Sequence, residues 1–342
     1  MSTERDLSVE EQKRKGLRVA FAVSIGFTFA VYAGAIVPFL GPLFAAQFLL
    51  GSSRPMPLGK TIGAAMVILI AGTAMMVLTN VLGDRPAPFL LMLGLIYFAC
   101  FAAQSTGKGG PAVFLVLVVS IIVPLLGILN EELANSILSI LVAGVLSGTV
   151  LMWLAHAVFP EPFFREVEAA PIDQRPLALG RALANTVILL GSVVICLTSD
   201  NLTAAAVIPI TVASLLGQLD VAASARAAIG LVLVNLFGGV LASIAYAALS
   251  LRPNLLSIFL IVFVVVLLIG GRAAARSKDA PVFAGALTTF LILFGLGVSP
   301  LPGSAAESFA TRIVYVAAAL IYALLFAAIL WPRTGETKRI SA

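Results

Sequence analysis

The sequence predicts an all-α membrane protein of about twelve transmembrane helices, built as two parallel six-helix repeats with both termini in the cytoplasm. Three observations predict it. Of 342 residues, 61% are hydrophobic and 11% are charged, against about a quarter charged in a soluble domain. That much apolar surface calls for lipid as its solvent. The apolar runs are continuous and near the ~20 residues that a spanning helix needs, without the alternation of a barrel strand. Finally, one set of landmarks occurs twice.

Taken in order, the predicted spans are 17–35, 36–51, 60–83, 87–104, 111–129, 133–159, 178–198, 201–217, 225–249, 252–271, 280–298 and 309–331. Residues 1–16 ("MSTERDLSVEEQKRKG") are mixed in charge and read as a cytosolic tail. The run after "KRKGLR" is too long for a signal peptide and lacks a cleavage site, so it reads as a retained first helix. Residues 17–160 form the first repeat, 161–177 a polar, proline-rich cytosolic linker, 178–332 the second repeat and 333–342 a second cytosolic tail.

Charge placement orients the chain. With the N-terminus inside, only Arg85, Arg252 and Arg312 of the 21 Lys and Arg residues fall on the outer side. Such a bias over short loops sets topology. The net charge of +5 is small and scattered, which argues against a nucleic-acid partner.

The halves match along their length. "LRVAFA" (17–22) faces "LGRALA" (179–184), "GPLFAAQFLLG" (41–51) faces "IPITVASLLG" (208–217), and "DRPAPFLLMLGLIYF" (84–98) faces "LRPNLLSIFLIVFVV" (251–265). "GPAVFLVL" (110–117) faces "APVFAGAL" (280–287). The offsets hold nearly constant: 167 from Pro42 to Pro209, 166 from Lys60 to Arg226, 167 from Arg85 to Arg252 and 172 from Pro160 to Pro332. An even number of helices per half makes the repeat parallel. The second segment of each half is short and carries a repeated proline, Pro42 or Pro209. A proline in a helix interior removes a hydrogen bond and frees a carbonyl that needs a partner in lipid. Paired, interrupted short segments point to a transporter's binding region.

The stretches "GFTFAVYAGAIVPFLGPLFAAQFLLG" (26–51), "LLGILNEELA" (125–134) and "VLMWLAHAVFPEP" (150–162) resemble the compact bacterial branch of the fusaric acid resistance and aromatic acid exporter superfamily. The aluminium-activated malate transporters look like its distant relatives. The resemblance covers the first half directly and the second mainly through the repeat. It implies bacterial inner-membrane efflux of organic, often aromatic, acids, in many members beside a periplasmic adaptor protein. Larger members carry a cytosolic domain after each membrane half; this chain has only a short linker and tail.

Enzyme chemistry finds little footing. The one histidine, His156, rules out a His-rich metal site, and a packing or interface role suits it better than proton transfer. The "GKT" at 59–61 fails as a phosphate loop, because Arg54 stands where its first glycine belongs. No metal, cofactor or catalytic residue is expected, and the chain does not read as an enzyme. Cys100 and Cys196 lie in apolar runs and read as small buried hydrophobes.

The expected substrate pathway is lined by Pro42, Gln47, Pro209, Thr211, Ser214, Asn80 and Asn235. Lys60, Arg226, Arg85 and Arg252 recur at matched positions and could form anion-attracting rings; the alternative for them is interface anchoring by long basic side chains. Small polar groups within spans can equally serve only as interhelical bonds. "GVLSG" at 144–148 is a helix-packing signal. All 16 acids lie in tails, connections or helix ends. No carboxylate relay is therefore expected mid-span, and an anion leaving a negative interior gains about 2.3 kcal/mol per charge per 100 mV. The expected function is efflux of organic, aromatic or amphipathic acid anions, driven by membrane potential, proton gradient or both. The alternative is a non-transporting membrane subunit that anchors a partner complex.

Overall fold

A computed structural model describes residues 2–52, 54–106, 110–129, 131–160, 179–198, 207–221, 225–275, 279–299 and 305–331. The described residues form twelve helices and no strand, the all-α membrane architecture that the composition predicts. The first-half helices are α1 (Ser2–Tyr32), α2 (Leu40–Gly51), α3 (Leu58–Leu82), α4 (Pro86–Ser105), α5 (Gly110–Leu129) and α6 (Glu131–Val158). The second-half helices are α7 (Leu179–Leu197), α8 (Val207–Val221), α9 (Ala225–Leu251), α10 (Leu255–Ala273), α11 (Ala280–Val298) and α12 (Ala305–Leu330). Six stretches among them are long and apolar enough to cross a membrane, from Glu10–Tyr32 through Leu255–Ala273.

Several boundaries differ from the sequence expectation: α8 is Val207–Val221 rather than 201–217, α12 begins at Ala305 rather than 309, and the starts of the first two helices differ for reasons the structure shows. The first helix does not begin at residue 17, because α1 runs unbroken from Ser2 through the charged segment. The second helix begins at Leu40 rather than 36. α1 closes in a Schellman turn, in which Gly34 N–H bonds the Val31 carbonyl (3.0 Å) and Ala35 N–H the Ala30 carbonyl (2.9 Å). Gly34 sits at φ +70°, a conformation that a Cβ disfavours. The linker at 161–177 and the tail at 333–342 lie outside the described residues.

The chain forms two compact units that do not coincide with its two sequence halves. The first unit comprises Met1–Met66, Ser139–Glu166 and Ala222–Ile313. Within it, α1 packs on α2 and α10, while α11 packs on α2, α9 and α10. α11 is its core, with Ala286, Phe290 and Phe294 fully buried. The "GVLSG" segment of α6 meets α2 as the sequence suggests. A Cβ on Gly148 would lie 2.7 Å from the Phe44 Cβ and 2.9 Å from the Gly41 carbonyl oxygen.

The second unit comprises Val67–Leu138, Val167–Val221 and Val314–Ala342. Within it, α7 packs on α4 and α8, and α5 packs on α4 and α8. α5 is its core, with Leu117, Ile121 and Val123 fully buried. α5 also holds the interior proline, Pro124. The Ser120 carbonyl, four residues earlier, accepts the Tyr97 hydroxyl from α4 at 3.2 Å. Cys100 and Cys196 are buried thiols in this unit, as their apolar runs suggest.

Candidate functional site

The short second helix of each half is the natural starting point. α2 has 12 residues, about 18 Å at 1.5 Å per residue, which is too short for a core about 30 Å thick. Its depth follows from its ties to neighbouring elements. Lys15 Nζ donates to the Leu50 carbonyl at 2.8 Å, so the C-terminal end of α2 lies level with Lys15 of α1. From there α1 climbs about 25 Å to Tyr32, while α2 climbs about 15 Å to Leu40. α2 therefore starts roughly 10 Å short of the far end of α1. Residues 33–39 close the gap, and the Ile36 carbonyl accepts the Ser299 hydroxyl at 2.6 Å.

Pro42 is the third residue of α2, and Pro209 is the third residue of α8. Both are buried. This corrects the reading of the two prolines as interior kinks. In the first turn a proline has no helical N–H to lose, so it starts these helices and frees no carbonyl. The device expected of them belongs to Pro124, whose missing N–H leaves the Ser120 carbonyl to Tyr97.

Gln47 lies on the exposed side of α2, one turn and a half past Pro42, while Phe44, Ala45, Ala46 and Phe48 are buried. An exposed carboxamide between apolar neighbours is the most polar point of the helix. On α8, Thr211 is half-buried. Ser214 stands 167 residues after Gln47, in step with the prolines, but its side chain lies outside the described residues. The side chains of Arg226 and Asn235, both on α9, lie outside them as well.

Lys60 and Asn80 are exposed at opposite ends of α3. Arg85 and Arg252 occupy the same local geometry in their own repeats. Arg85 N–H bonds the Leu82 carbonyl (2.8 Å) and Arg252 N–H the Leu249 carbonyl (3.1 Å), each just before a fourth helix. Pro86 opens α4, and the Asn254 side chain caps α10 by accepting Ser257 N–H at 2.7 Å. Both arginines are exposed. His156 Nδ1 donates to the Met152 carbonyl at 2.9 Å, a bond within its own helix.

Two further arginines mark the other end of the repeats. Arg18 on α1 is 2% exposed and donates from Nε to the Phe159 carbonyl, just past α6, at 2.7 Å. A cation there complements the negative end of the α6 dipole. Arg181 on α7 stacks its guanidinium 4.0 Å above the Trp331 ring, just past α12. The indole N–H in turn donates to Asn185 Oδ1 at 2.9 Å. Each half thus clamps the end of its sixth helix with an arginine from its first. The sequence carries the signal: Arg18 and Arg181 stand at the start of the predicted first span of each half, and Phe159–Pro160 and Trp331–Pro332 end the sixth. Sequence reasoning counted these arginines as topology charges and did not pair them.

No group of three or more His, Cys, Asp or Glu side chains among the described residues could hold a metal ion. Chemically, the arrangement offers hydrogen-bonding and cationic groups on membrane helices.

No curated protein and no solved structure matches the chain. A family described as a protein of unknown function (DUF2955) matches residues 15–155. That span runs from the charged part of α1 nearly to the end of α6, so over one whole repeat of membrane helices the chain is similar to DUF2955.

Proposed function

We propose that the protein is a multi-pass transporter of the bacterial inner membrane that exports organic acid anions, of aromatic or amphipathic type. The single observation that carries the reading is the half-length helix α2, opened by a buried proline and bearing exposed Gln47. A polar side chain facing only hydrocarbon is costly. A wet path with a solute to hydrogen-bond removes that cost. The match of Pro42 to Pro209 and of Gln47 to Ser214 puts a polar residue at the same step after a repeated proline in each half. Exposed Arg85 and Arg252 supply cationic charge that draws anions to the outer side, and the resemblance to aromatic acid exporters names the solute class. A periplasmic adaptor is a candidate partner on the same ground. With no carboxylate in the middle of a span, the anion's own charge couples export to the membrane potential.

The test is flux from proteoliposomes loaded with benzoate-type and short aliphatic acids. An imposed potassium-diffusion potential is expected to drive efflux of the aromatic set at zero pH gradient. Flux that follows a pH gradient and ignores voltage overturns the coupling. Absence of flux for every acid under either gradient favours the anchoring subunit instead.

A further inference from the structure

The division of the chain into compact units has a bearing on how it assembles. The first unit takes α1, α2 and most of α6 from the first half, and α9, α10 and α11 from the second. The second unit takes most of α3, with α4 and α5, from the first half, and α7, α8 and most of α12 from the second. The pairings correspond. α1 packs on α10 as α7 packs on α4, and α1 on α2 as α7 on α8. α11 meets α10 and α2 as α5 meets α4 and α8. In both units the first helix of one half rests on the fourth helix of the other.

These cross-half contacts are tight. A Cβ on Gly16 would stand 3.0 Å from the Gly271 Cα, and one on Gly270 would stand 3.3 Å from Val19. In the second unit a Cβ on Gly94 would stand 3.5 Å from Leu190. The two core helices behave alike: α11, from the second half, is enclosed with α2 of the first, and α5, from the first, with α8 of the second. Within lipid, helices associate through such close packing rather than through a hydrophobic drive.

We infer that the six-helix repeat is a folding unit only in pairs: neither half closes a bundle alone, and the partner each requires is a second six-helix repeat. Each half divides its six helices between the two units, three in the main to each. The DUF2955 match covers one repeat. A protein consisting of such a segment alone would complete its bundles with a second copy of itself, first helix against fourth.

The test uses the full chain with a protease site inserted between residues 161 and 178, cut after membrane insertion. The halves are expected to stay together at one-to-one stoichiometry in mild detergent. Separation into two monodisperse halves overturns the inference. A second measurement reads the pairing directly in a Cys100→Ser, Cys196→Ser background. The pairs Val19→Cys with Gly270→Cys, and Gly94→Cys with Leu190→Cys, are expected to link the cut halves into one band on a non-reducing gel. Halves that co-purify without forming either link also overturn it.

Discussion

The Tyr97 hydroxyl donates to the Ser120 carbonyl, the one acceptor in the middle of α5 that Pro124 deprives of its helical donor. Tyr97 is fully buried, so the carbonyl has no water to fall back on. Tyr97→Phe is expected to cost about 1 kcal/mol, within the range of interhelical bonds in membranes. In a Pro124→Ala background the backbone N–H is restored and bonds the Ser120 carbonyl itself. There the same change at Tyr97 is expected to cost less than about 0.5 kcal/mol. Unfolding in mixed micelles by denaturing detergent measures the cycle. Equal costs in both backgrounds would show that the two features are independent.

Pro42 and Pro209 contrast with Pro124. Each stands in a first helical turn, so Pro42→Ala and Pro209→Ala are expected to change stability by less than about 0.5 kcal/mol. A loss above about 2 kcal/mol in the same unfolding assay would restore the interior-kink reading.

Glycines divide into two classes. Gly148→Leu forces a side chain into Phe44 and the backbone of α2 and is expected to cost about 2 kcal/mol or more. Gly63, on α3, has nothing within 4 Å of its Cβ position. Gly63→Ala is expected to stabilise by roughly 0.5–1 kcal/mol, since alanine is the better helix former. Thermal inactivation of the purified protein ranks the two.

Gln47 and the outer arginines separate transport from anchoring. Gln47→Leu is expected to lower anion efflux several-fold while leaving the amount of inserted protein unchanged. Arg85→Gln with Arg252→Gln is expected to do the same, with the loss growing as ionic strength falls because exposed charges act over a longer range at low salt. Wild-type flux from both variants would assign these side chains to the membrane interface.

Among the described residues, helix type and approximate position were readable from residue type alone, because a run such as 280–298 has one way to satisfy its backbone in lipid, and the structure places α11 on those residues. The start of α2 was not. "AIVPFL" is apolar throughout, and only the Gly34 turn and the Phe39–Gly295 contact decide where helix begins. Gln47 was legible as a polar residue following a repeated proline. The roles of Arg18 and Arg181 were not, because each depends on an aromatic residue about 140 to 150 positions away. The partition into units was invisible for the same reason: short loops favour neighbours in sequence, yet α1 rests on α10.

That α11 forms the core around which α1 and α2 settle has a consequence for biogenesis. The ribosome makes this helix some 250 residues after α1, which at roughly 5–20 residues per second is a delay of about 12–50 s. Through that interval the earliest segments are already in the bilayer without their central companion. Truncation upstream of Ala280 leaves α1 its seat on α10 but takes away Phe294, against which Phe27 of α1 packs at 5.3 Å between ring centroids.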